Sequence, residues 1–260
     1  MRKLCFAFLI VCFVLCMGAD FFAPYSYAEQ NLQLGASSPT LKHIFGTDNL
    51  GRDLFSRMLY GGRVSFAIGI FATLFASVVG VSYGVVSAYF GKKCDYIMMR
   101  IVDIAYSLPF AVIVILLTLA FGRSVWLLFV ALGIAEWMTM ARIVRGQVLE
   151  LKSRQFVEAS AVLGQSTFKV IVKHILPNAL PAVLVCATLT VPSVMLLESF
   201  LSFLGLGVQA PLPSWGTLLS EGADLMETAP HLLIFPSIAF SLTLFSINRL
   251  GEYLKEKLAR

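Results

Sequence analysis

The sequence has 260 residues, 58% of them hydrophobic and 13% charged, with a mean hydropathy of +0.83 and a formal net charge of +5. An average soluble domain is about one quarter charged and less than half apolar, so an ordinary soluble globule is excluded, as is a disordered chain, which lacks apolar surface. A membrane is the expected solvent, and at roughly 20 residues per crossing the length accommodates about six crossings with loops but no large soluble domain besides.

In chain order, the first apolar run is residues 4–19, behind Arg2 and Lys3. The basic start, the apolar stretch and Ser26-Tyr27-Ala28 downstream also fit a cleavable signal peptide, whose removal would leave five spans and the rest of the topology intact. Residues 64–91 carry no formal charge over 28 positions. Within them Ala72, Ala76, Gly80, Gly84 and Ala88 recur every four residues beside a second small row, Ser65, Gly69, Thr73 and Ser77, which predicts an interior helix closely approached by others of the bundle. Residues 104–122 form a third run of 19, and 125–141 a fourth interrupted by Glu136. Residues 175–197 contain Pro181 and Pro192, and 229–248 contain Pro236. A backbone in lipid has to satisfy its own hydrogen bonds, so these prolines predict kinks packed against protein. The expectation is an all-α polytopic membrane protein with six transmembrane helices. A first helix and extracytoplasmic segment occupy 1–63, a core 64–250, and a cytoplasmic tail 251–260.

With the N-terminus inside, fifteen of the twenty Lys and Arg residues fall on one side: Arg2 and Lys3; Lys92, Lys93 and Arg100; six from Arg142 to Lys173; four from Arg249 to Arg260. Lys42, Arg52, Arg57, Arg63 and Arg123 remain outside, where residues 205–228 carry Glu221, Asp224 and Glu227 and no base. This bias predicts both termini in the cytoplasm, although four basic residues between 20 and 63 are more than the rule favours. The cations form no dense tract with interleaved aromatics, so the expected contact is membrane lipid and not nucleic acid.

Chemistry has no visible seat. The five cysteines lack CxxC spacing and read as small hydrophobes. His43, His174 and His231 are far apart in sequence, so no metal is expected. Gly46-Thr47-Asp48-Asn49-Leu50-Gly51-Arg52-Asp53 has phosphate-loop glycines, but Arg-Asp stands in place of Lys-Ser/Thr and no strand precedes it. Neither GxSxG nor HExxH occurs, so no catalytic residue and no cofactor are expected. Asp103 and Arg142 fall near helix ends, where headgroups accept charge; Glu136 and Glu198 lie deeper, as pathway or structural polar groups. A channel, a secondary carrier and a scaffold without transport are the rival classes.

Residues 155–178 connect the fourth and fifth spans. Gly164 separates two short helical patterns, one with Phe156, Ala159, Val162 and Leu163 on a side, the other with Phe168, Ile171, Val172 and Ile175. Short helices with an apolar face and no soluble domain to cover it invite an external partner. Glu158-Ala159-Ser160, three residues, Gly164, nine residues and His174-Ile175-Leu176-Pro177 resemble the EAA motif of permease subunits in binding-protein-dependent ABC importers, with Ser160 and His174 as departures. Residues 43–48 with Gly51-Arg52-Asp53 look like the segment ahead of the second span in peptide and nickel permeases. Residues 136–147, 198–207 and Pro213-Ser214-Trp215-Gly216 are similar to oligopeptide permease C subunits.

The resemblance implies a type I ABC importer permease fold in a bacterial inner membrane, with no enzyme activity of its own. It implies a heterodimer with a sister permease, two cytoplasmic ATPases on the loops over about 150–178, and an extracytoplasmic substrate-binding protein. ATPase coupling would fall to Glu158, Ala159, Ser160, Gly164, Leu176 and Pro177. Oligopeptide is the first substrate class implied, dipeptide or nickel the second.

Overall fold

The computed structural model describes residues 2–258. Helix α1 (Arg2–Met17) and the single turn α2 (Ala19–Phe22) lead through an irregular segment, 23–53, into α3 (Leu54–Tyr89). There follow α4 (Lys92–Tyr106), α5 (Phe110–Phe121), α6 (Val125–Lys152), α7 (Gln155–Val162), α8 (Thr167–Val170), a π turn (Ile171–Ile175), α9 (Leu176–Phe203), α10 (Trp215–Asp224) and α11 (His231–Leu258). Among the described residues there is no strand; an isolated antiparallel bridge joins Thr47 to Asp53. The divisions read from the sequence at 63/64 and 250/251 fall inside α3 and α11.

Four helical runs, α3, α6, 167–203 and α11, are long and apolar enough to cross a membrane, and α4 with α5 makes a fifth crossing when the bent pair is taken as one span. The bend is 82°. Pro109 explains it: proline disfavours helical geometry in the residue before it and lacks a donor, so α4 stops at Tyr106 and Pro109 caps the start of α5. The third expected run is therefore broken, with only 12 residues in α5. The first run forms a helix of 16 residues, roughly 24 Å at 1.5 Å per residue and short of a full hydrocarbon core. It is nonetheless packed, for Cys16 is buried in one cluster with Trp215 and Phe240.

Helix α3 is the mast of the bundle. Its small-residue row is buried throughout, with Ala72 and Ala76 fully enclosed. A Cβ on Gly84 would come within 2.6 Å of the Ala141 carbonyl, and one on Gly80 within 2.7 Å of the Trp137 carbonyl. The row therefore seats α6 within this one chain, as close helix approach through small residues requires. Outward-facing Phe71, Leu74 and Val78 are exposed, the inverse of a soluble helix and the pattern expected against lipid.

The helices alternate in direction, so α1 begins and α11 finishes at one end of the bundle, beside the α6–α9 connection. Lys3 and Tyr253 line one cavity there, and Gln147, Asn178 and Leu258 another. We call this the Gly164 end; the opposite end, which carries 23–53 and α10, is the Trp215 end.

Candidate functional site

The connection between α6 and α9 projects as a knob. Helix α7 ends at Val162, and Gly164 turns the chain with a φ of +76°, a left-handed conformation that side-chain-bearing residues rarely adopt. Leu163 N donates to Ala159 O at 3.0 Å and Gln165 N to Ser160 O at 3.2 Å, closing the turn. Val157, Ser160, Val170 and Ile175 are buried and tie the knob to the bundle, and Ser160 Oγ donates to Val157 O at 2.8 Å. The opposite face is bare, with Val162 87%, Leu163 80% and Phe168 76% exposed. Glu158, Ala159 and Gly164 lie on that exposed side, Pro177 is exposed and Leu176 is half-buried. His174 joins the two arms: its ring lies 6.4 Å from that of Phe156, and its Nε2 is 3.3 Å from Gln165 Oε1. The π turn precedes Pro177, which has no N–H to donate, and Asn178 Nδ2 donates to the His174 carbonyl at 2.6 Å. The knob thus runs without a break into α9.

A cleft of about 920 Å³ lies between α6, α9 and the end of α11. Its walls run along α6 from Glu136 to Glu150 and along α9 from Asn178 to Ser193, about 22 Å at a helical rise of 1.5 Å per residue. Glu136 and Ser193 meet at the deep end, where Ser193 Oγ donates to Glu136 Oε1 at 2.8 Å. The two intramembrane glutamates read together from the sequence are therefore apart and differently placed. Glu198 is fully buried near the Trp215 end, where Oε1 accepts from Ser214 Oγ at 2.7 Å and from Ser202 Oγ at 3.0 Å.

That end is a polar lattice. Trp215 donates its backbone N–H to Ser65 Oγ at 3.0 Å and its indole N–H to Met58 O at 2.9 Å. Asp53 caps α3, accepting from Ser56 N at 2.8 Å, and its other oxygen lies 2.9 Å from His43 Nδ1. Asp48 accepts from Arg52 Nε at 2.7 Å and Arg57 Nη1 at 2.6 Å, and Arg57 Nη2 donates to Glu221 at 3.0 Å. The phosphate-loop-like segment is thus filled by its own aspartate. Three of the surplus cations between 20 and 63 have protein partners, Arg63 bonding the Met17 carbonyl and Asp20, each at 2.9 Å.

Two further ion pairs escaped sequence reading because their partners are remote in the chain. Arg145 grips Asp95, with Nη2 at 2.6 Å, and Ser87 Oγ bonds the same carboxylate at 2.7 Å, joining α3, α4 and α6. Arg142 donates to Asp103 at 2.9 Å, so these two groups meet each other. No cluster of three or more His, Cys, Asp or Glu residues able to hold a metal exists among the described residues.

The family of binding-protein-dependent transport system inner membrane components matches residues 76–260, which include the knob, the cleft walls and the Glu198 lattice. The chain belongs to this family. Within it, the oligopeptide transport system permease protein OppC of Haemophilus influenzae is 46% identical over 254 residues, covering 97% of this chain and 81% of the relative. The dipeptide transport system permease protein DppC of Bacillus subtilis is 43% identical over 251 residues, covering 96% and 78%. Among solved structures, an inward-facing MetNI methionine ABC transporter aligns with a TM-score of 0.67 at 19% identity, covering 78% of this chain and 97% of that one. That likeness establishes a shared fold. As an inner membrane transport component, this family member is a multi-pass membrane protein.

Proposed function

We propose that the chain is the membrane-spanning permease subunit of a binding-protein-dependent ABC importer of peptides, oligopeptides first. Near full-length similarity to oligopeptide and dipeptide permeases supports the substrate class. The observation that carries the reading is the knob, where Val162, Leu163 and Phe168 stand exposed on a glycine turn at the end of a membrane bundle. An apolar surface of this kind is completed by a partner.

In this reading the Gly164 end faces the cytoplasm and both termini lie there. Two ATPases take the knobs of this subunit and a sister permease, and a substrate-binding protein docks on the Trp215 end. Glu158, Ala159, Ser160, Gly164, Leu176 and Pro177 form the coupling surface. Ala159 is small enough for close approach, Gly164 sets the turn, Ser160 anchors α7, and Leu176-Pro177 pass motion into α9. Because α9 is a wall of the cleft, closure of the ATPases moves that wall relative to α6. The cleft is then this subunit's share of the pathway, with Glu136 on it and Glu198 a structural anchor beyond it. Residues 1–63 supply the first helix and outer segment, 64–250 the permease core and 251–260 the cytoplasmic end.

Reconstitution in vesicles with the partner ATPases, sister permease and receptor tests the reading: ATP-dependent peptide accumulation is expected. ATP-independent flux through the chain alone would return it to the channel or carrier class. For orientation, Lys169→Cys should label only from the cytoplasm and Glu221→Cys only from outside, in a background cleared of native cysteines. External labelling at 169 in intact cells would overturn the coupling scheme, because the knob would never meet ATP.

A further inference from the structure

We infer that Glu136 receives the ammonium group of a peptide lodged in the cleft, and so fixes a feature common to all peptides while the rest of the cleft tolerates their variety. This deepens the reading of peptide import and rests on it. Glu136 lies 11 residues into α6, roughly 17 Å from that helix's start, at a depth where a carboxylate needs a partner or a wet cavity. Its Oε1 is held by Ser193 Oγ, and no protein donor reaches Oε2 among the described residues. Among the described residues the cleft's one lining cation, Lys255, belongs to the last turn of α11 at the mouth, with Glu150, about 21 Å along α6 from Glu136. The deep end therefore presents a carboxyl group with no basic residue beside it among the described residues.

An ammonium group matches this chemistry. It is a compact positive charge with three donors and no acceptor. Glu136 Oε2 can take one donor, and the hydroxyl oxygens of Thr139 and Ser193, which line the same recess, can accept the others. Below this point the walls are largely apolar, from Leu189, Val185 and Ile143, and make no side-chain-specific demand. The volume of about 920 Å³ falls within the roughly 300–1,000 Å³ of ligand-enclosing clefts.

The test is protection of a thiol in the recess. Thr139→Cys, in a chain free of its five native cysteines and assembled with its sister permease and ATPases, is reacted with a water-soluble maleimide without nucleotide or receptor. A trialanine with a free amino terminus should protect at concentrations at least tenfold lower than N-acetyl-trialanine, and Glu136→Gln should abolish that difference. Glu136→Asp, which keeps the charge, should retain it. Equal protection by the two peptides with Glu136 in place, no protection by either, or a difference that survives Glu136→Gln would each overturn the inference. ATP-dependent peptide uptake by the fully assembled native transporter is scored separately. Its absence refutes peptide import itself, whereas uptake without the amino-terminal preference refutes only the role of Glu136.

Discussion

At the Trp215 end polar groups are turned inward and partnered, while at the Gly164 end large apolar groups are turned outward and left bare. Asp48, Asp53, Arg57, Ser214 and Glu198 are buried with hydrogen-bonded partners, and only Arg57 Nε and Glu198 Oε2 among their described side-chain polar atoms are buried without one. A buried network of this kind is worth most when satisfied and is costly when broken, so it holds one arrangement of α3, α9 and α10. The knob carries Val162, Leu163 and Phe168 at the surface, and its hydrogen bonds close only its own turn and arms. One end is finished by the chain itself; the other leaves its apolar face uncovered. Substitutions at the two ends should accordingly fail in different assays.

The largest effect is expected at the knob and in transport alone. Gly164→Pro cannot adopt φ +76°, because the pyrrolidine ring fixes φ near −65°, and Ala159→Trp places a bulky ring on the exposed side where close approach is proposed. Both should abolish ATP-driven uptake and release or uncouple the ATPases, with insertion and pairing to the sister permease preserved. Wild-type uptake at normal expression would show that force enters elsewhere. At the other end, Trp215→Ala removes a ring that is 1% exposed, together with its indole bond to the Met58 carbonyl. It should lower unfolding stability in detergent by about 3–5 kcal/mol, with uptake falling only as folded protein falls. A loss under about 1 kcal/mol in denaturant titration would mean that this end is not the stable one.

Charge-free length located the four long spans, and the four-residue recurrence of small residues located α3 inside the bundle, because both properties are local and periodic. Gly164 was legible as a break for the same reason, and the bare face of the knob follows from its apolar pattern. Hydropathy averaged over 104–122 hides the bend at Pro109. Helix ends were also misplaced: α3 begins at Leu54, since Arg57 and Arg63 can sit in its first turns once Asp48, Glu221 and Asp20 neutralise them. Such pairings join positions 9 to 164 residues apart and leave no trace in a single sequence. The separation of Glu136 from Glu198 was hidden likewise, since depth in a helix does not reveal which side faces a cleft.

A smaller effect is expected from Glu198→Ala, which takes the acceptor from the Ser202 hydroxyl and leaves the Ser214 hydroxyl only its contacts with Thr217 in a buried site. A stranded group costs roughly 1–3 kcal/mol, so stability in detergent should fall by less than for Trp215→Ala. Glu198→Gln keeps an acceptor for both hydroxyls and should fall by less again. Uptake by the Gln variant should be driven by ATP and indifferent to a proton gradient, as in the native protein. A gradient dependence present in the native protein and lost in the variant would make Glu198 a coupled proton carrier instead of an anchor.

The smallest effect belongs to the surface tie at the Trp215 end, where Arg63 joins Asp20 to the last carbonyls of α1. The Arg63 guanidinium, with the Tyr60 hydroxyl second, holds the Asp20 carboxyl below its ordinary range. A depressed carboxylate contributes stability that is present above the unfolded-state pKa of about 4 and is lost as pH falls through the lower folded-state value. Between pH 5 and 8 amide exchange over residues 17–22 should therefore follow only the intrinsic dependence on pH, and protection should weaken below about pH 4 as the tie is protonated. The group is exposed and salt screens it, so the weakening should be slight and smaller still in concentrated salt. Asp20→Asn should remove the acid-dependent step while leaving Cys16 packed against Trp215, since the apolar contact does not need the ion pair. Loss of protection across the whole of α1 in that variant would mean that the charge, and not the buried cluster, holds the first helix to the bundle.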